Sequence, residues 1–203
     1  MTLWLRVRHA QAALAALGLF AAITVLAGDV AIAMPAFLAV YGLSVPVVLL
    51  APLILPTVVG WGLQLGEARL ERVSTRPISL LDTGFATTIA VLGCVIALAI
   101  GALTTSVYAG AAGRNAVGYM GLMLVGQRLI GVRAAPLIPA AVAMLAALAG
   151  GDASGQPQWW VWLLKPVDEP SAWIAAIACL GIGVVLSLEP SRGPLLTDLV
   201  DSD

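Results

Sequence analysis

The sequence predicts an all-α, polytopic integral membrane protein with six transmembrane helices and both termini in the cytoplasm. Three observations lead there. Of 203 residues, 61% are hydrophobic and only 10% charged, with a mean hydropathy of +1.01. Soluble domains carry about 25% charged residues, so this chain lacks the polar surface to coat a water-facing globule or to supply a separate soluble domain. Several apolar runs approach or exceed the roughly 20 residues needed to cross a bilayer. Finally, Lys and Arg divide unevenly between the connections, as the positive-inside rule requires.

The spans follow in order. The first is residues 10–27, preceded by Arg6 and Arg8; no cleavage site follows it, so it reads as a retained helix rather than a signal peptide. The second, residues 33–63, carries Pro35, Pro46, Pro52 and Pro56. Proline removes a backbone donor and kinks a helix, so this span is expected to be bent, tilted or broken. The third covers residues 83–109. The fourth, residues 116–131, and the fifth, residues 134–150, are short. The sixth covers residues 171–188, and the tail after it is acidic. With six spans, Arg6, Arg8, Arg69, Arg72, Arg76, Arg128, Arg133 and Arg192 fall on one side; Arg114 and Lys165 fall on the other. The first side is then the cytoplasm.

Residues 64–82 form a cytoplasmic cassette between spans two and three. The stretch "GEARLERVSTRPISLLD" holds six of the 21 charged residues. Read as a helix stopped by Pro77, it puts Arg69, Arg72 and Arg76 on one face and Glu67 and Glu71 on roughly the opposite one. The acidic pair would be repelled by anionic lipid. A bipolar helix suits a protein partner, where complementary charge fixes register. The competing reading is a solvated loop whose arginines only set topology.

An N-terminal basic segment, "LQLGEARLERVSTRPISLLD" after span two and "QWWVWLLKP" before span six make the chain resemble the membrane subunit of an ABC-2 type ABC transporter. The stretch "GRNAVGYMGLMLVGQRLIG" also looks like such permeases from high-GC bacteria. The resemblance covers most of the chain as architecture, without a short diagnostic signature. It implies that Glu67, Arg69, Glu71, Arg72 and Arg76 belong to a coupling helix touching a cytosolic ATPase. It implies a second permease copy or paralogue, export across a bacterial cytoplasmic membrane, and a partly inserted outer segment at 151–170. ATP and Mg would sit on the partner ATPase. The chain itself has no GxxxxGK[ST] loop and no cofactor is expected on it.

Trp159, Trp160 and Trp162 sit in the outer segment. Tryptophan favours the membrane interface, so they read as an aromatic anchor, or, on the resemblance, as part of a gate. Gly93, Ala97 and Gly101 recur at four-residue spacing, which lets helices approach closely, within one subunit or across a dimer. Arg114 with Asn115, and Gln127 with Arg128, flank span four and are expected to snorkel to the interface. Thr57, Gln64, Thr87, Thr88, Thr104, Thr105 and Ser106 are polar positions that could face a pathway, although threonine hydroxyls in spans commonly bond their own backbone.

Other chemistry lacks candidates. His9 is the only histidine, and Cys94 and Cys179 lie in apolar runs, which leaves no metal or disulfide framework. No span pairs a serine with a histidine, holds HExxH or carries paired carboxylates, which disfavours an enzyme or an ion-driven carrier. A net charge of −1 gives no sign of nucleic-acid binding. An alternative function is a six-span substrate-binding or structural membrane subunit without ATPase coupling. The sidedness is testable: a lone Leu70→Cys thiol should resist an impermeant maleimide in intact cells and react after lysis. Brisk labelling in intact cells would place the cassette outside.

Overall fold

The computed structural model describes residues 8–28, 30–33, 44–64, 78–104, 106–152 and 156–189. The described residues are mostly helical, in six successive helical segments. The Ala- and Leu-rich α1 (Ala10–Leu26) is built from strong helix formers. A two-stranded ribbon follows, β1 (Ala31–Ala33) antiparallel to β2 (Ser44–Pro46), with Ile32 opposite Val45. This ribbon departs from the all-α expectation. The second apolar run is therefore not one helix from residue 33. Pro46, extended and without an N–H, ends β2, and α2 starts at Val47.

Helix α2 (Val47–Gln64) is itself interrupted by a tighter i→i+3 turn at Ala51–Leu53. Pro52 lies in that turn. It cannot donate to the carbonyl one turn back, so the ladder tightens locally. Then come α3 (Ile78–Thr104), α4 (Ala109–Ile130), α5 (Leu137–Ala149) and α6 (Pro170–Leu188). Ile78 to Asp82, assigned above to the cassette, form the first turn of α3, and α4 starts seven residues before the expected 116.

Three of these, α2, α3 and α6, are long and apolar enough to cross a membrane; α1 and α5 are shorter apolar helices. Helix α4 has the length but carries Arg114, Asn115, Gln127 and Arg128 and does not reach that apolarity. Its placement explains how it tolerates them. Every residue from Ala109 to Gly121 is buried, and α4 packs chiefly against α6 and α3, with α2 and α5 also in contact. The outer helices show apolar side chains on their exposed faces too, such as Val91, Val95 and Leu98 on α3 and Ile174, Ile177 and Val185 on α6. A helix apolar on every side is the pattern of a membrane or deep core environment.

The helices alternate direction. Where α1 starts, α2 ends and α3 begins, because Arg8 bonds both Leu63 and Asp82 there. Gln64 reaches the carbonyls of Val132 and Arg133 at the same end. At the opposite end Val47 donates to the Val30 carbonyl, and Asn115 bonds Leu49 and Leu163.

Close approach between α4 and α6 depends on glycine. A Cβ on Gly121 would run into the Cys179–Leu180 peptide, and one on Gly183 would come within 2.6 Å of the Gly121 carbonyl oxygen. Backbone cannot yield as a side-chain tip can. Gly121→Ala is expected to lower stability by about 1–3 kcal/mol. Gly181→Ala, with nothing within 4 Å of its would-be Cβ, should be neutral or slightly stabilising, since alanine is the better helix former. Thermal loss of the monodisperse gel-filtration peak in detergent measures both.

Candidate functional site

Polar chemistry concentrates at the two ends of the bundle. At the first, Arg8 is only 3% exposed. Its Nε donates to Asp82 Oδ1 at 3.1 Å and its Nη2 to Asp82 Oδ2 at 2.8 Å, a two-pronged pair that suits the planar guanidinium. Nη1 donates to the Leu63 carbonyl at 2.9 Å, in the last turn of α2, where carbonyls lack helical partners. Asp82 lies one turn into α3. One side chain thus fastens the start of α1, the end of α2 and the start of α3. His9 meets Trp61 beside it in a tilted ring contact, centroids 5.1 Å apart.

At the second end, Arg114 and Asn115 are both fully buried, as is Tyr119 one turn on. Arg114 is not an exposed span edge: α4 continues back to Ala109, and the guanidinium is buried under the α5–α6 connection. Its Nη1 donates to the Pro166 carbonyl at 2.8 Å and its Nη2 to the Lys165 carbonyl at 2.9 Å. Nη2 also approaches Asn115 Oδ1 at 3.4 Å. The Nε has no hydrogen-bond partner among the described residues. Asn115 Nδ2 donates to the carbonyls of Leu163 (2.8 Å) and Leu49 (3.3 Å). The Tyr119 hydroxyl donates to the same Leu49 carbonyl at 3.2 Å. Leu49 sits in the helical turn just before the tightened segment of α2, and its buried carbonyl is met by side chains of a neighbouring helix.

The α5–α6 connection is therefore held to the core. Val161 and Leu163 are buried with Tyr119, Ala143 and Ala146. Glu169 caps the far side: Ser171 donates to its Oε1 at 2.7 Å and Lys165 lies at 3.6 Å. The Ser171 hydroxyl first, then the Lys165 charge, hold the Glu169 carboxyl below the usual carboxylate range. A lowered carboxyl strengthens this cap above the ordinary carboxylate pKa, and the contribution fades as pH falls through the lowered value.

The sequence-derived candidates fall as follows. Glu67, Arg69, Glu71, Arg72 and Arg76 lie outside the described residues. Trp159 is 86% exposed and Trp160 borders on exposure, while Trp162 turns inward over Gly118 and against the Tyr119 ring. The three tryptophans therefore do not act as one patch. Gly93, Ala97 and Gly101 all face α4: Gly93 beside Ala116, Ala97 beside Gly113, Gly101 beside Ala109. Thr57, Thr87, Thr88 and Thr104 each donate to the carbonyl four residues back; Thr105 lies outside the described residues. No group of three His, Cys, Asp or Glu side chains that could hold a metal occurs among the described residues.

Sequence reasoning missed both clamps. Arg8 and Asp82 are 74 positions apart, beyond any local pattern. For Arg114 a signal was present: the run "AGAAGRNAVGYMG" is made of small residues around one polar pair, a composition that suits a tightly enclosed helix. Comparisons with protein-family models, curated proteins and solved structures find no match to this chain.

Neutralising Asp82 would remove the carboxylate that the buried Arg8 guanidinium holds on two of its nitrogens. Asp82→Asn is expected to lower stability by about 3 kcal/mol. Combined with Arg8→Met, the loss should fall short of the sum of the two single losses by about 1–3 kcal/mol. Denaturation of all four proteins in detergent gives that difference, and simple additivity would show the pair to be uncoupled.

Proposed function

We propose that the chain is the membrane subunit of an ABC-type exporter, of the ABC-2 permease kind, working in a bacterial cytoplasmic membrane. A separate cytosolic ATPase binds ATP and Mg and drives alternating access. A second copy or a paralogue completes the pathway. The observation that carries this reading is the Arg8 clamp. The connection 65–77, with Arg69, Arg72 and Arg76, runs from α2 to α3; Leu63 is the penultimate residue of α2 and Asp82 lies one turn into α3. Arg8 grips both of those residues. A push on the connection is then passed to α1, α2 and α3 together rather than absorbed by a loose hinge. Arg133 at the α4–α5 turn lies at the same end through Gln64, which agrees with a cytoplasmic placement of that end.

The alternative, a substrate-binding or structural membrane subunit without ATPase coupling, draws on a different observation. The donors of Arg114 and Asn115 engage carbonyls of their own chain, which is a scaffold's use of polar groups. A capture subunit would bind one small molecule tightly as the isolated chain.

Co-purification separates the readings. The affinity-tagged chain should bring down a cytosolic ATPase and stimulate its hydrolysis. Reversing Arg69, Arg72 and Arg76 to glutamate should abolish both while leaving the chain folded in the membrane. Unchanged assembly and stimulation would remove the docking role.

A further inference from the structure

We propose that the break in α2 and the α5–α6 connection form one coupled unit, joined across α4 by Asn115 and Tyr119, so that neither loosens without the other. The proposal needs no ATPase and stands apart from the transport reading.

Two parallel links carry it. The Asn115 amide has two hydrogens. One is on the Leu49 carbonyl in α2, and the other is on the Leu163 carbonyl in the connection. The amide is planar, so its orientation satisfies both acceptors at once or neither well. Arg114 steadies that plane through Asn115 Oδ1 while holding Lys165 and Pro166. The second link is Tyr119. Its hydroxyl is on Leu49, and its ring lies 6.3 Å from that of Trp162, which in turn covers Gly118. Lifting the connection strips acceptors from a buried arginine and a buried asparagine, and unmade buried hydrogen bonds are costly. It also removes the ring that positions Tyr119. Straightening the α2 break withdraws the Leu49 carbonyl from both side chains at once. One acceptor, Leu49, lies in the last turn before the tightened segment of α2, and the other, Leu163, lies in the 3-10 turn of the connection.

Hydrogen exchange read by mass spectrometry on the full chain in detergent tests the coupling. Tyr119→Phe removes only the bond to Leu49 and keeps the ring on Trp162. If the unit is coupled, amides at 47–53 and also at 158–165 exchange about fivefold faster, the factor that goes with one lost hydrogen bond. Arg114→Lys is the reciprocal probe: it touches the connection, and 47–53 should follow. Acceleration confined to the segment each variant touches overturns the proposal. So does no acceleration at all, or a uniform rise that includes α1, which would report general loosening.

Discussion

The structure depends on how a charged side chain is kept enclosed at one end of an apolar bundle. Arg114 is enclosed on all sides, and an isolated ion in such a place is prohibitively costly. Here carbonyls supply its contacts, and carbonyls are free only where a helix is broken or absent. The α5–α6 connection supplies them to Arg114 at Lys165 and Pro166. Asn115 beside it draws on Leu163 in the same connection and on Leu49, in the turn of α2 just before its tightened segment. These acceptors let α4 carry polar groups.

The same enclosure dictates the composition of α4. A helix surrounded by four others must let their backbones close in. Glycine and alanine therefore line it on several faces, with Gly113 under Cys94 and Ala97, Gly118 under Trp162, and Gly121 under the Cys179–Leu180 peptide. The surrounding helices carry their bulk outward. The least apolar helix is therefore the innermost one, the reverse of a water-soluble bundle.

The apolar runs made much of the architecture legible. Helices α1, α5 and α6 fall close to the runs that announce them, because length and hydropathy define such segments, whereas α3 lies five residues earlier than its expected 83–109 at both ends. The start of α2 was not legible: prolines at 35, 46, 52 and 56 all signal a break, and only the ribbon pairing of Ile32 with Val45 selects Pro46 as the boundary. The start of α4 was hidden because Arg114 and Asn115 look like a span edge when their partners are unknown. Those partners are backbone carbonyls about fifty and sixty-six positions away, and backbone acceptors leave no trace in a sequence.

The Arg8 clamp has a consequence for biosynthesis. Arg8 emerges from the ribosome with α1, but its carboxylate partner follows 74 residues later. The bond that ties α1 to α3 can therefore close only after all three opening helices have been synthesised, and until then α1 and α2 share only the Leu63 contact of that side chain.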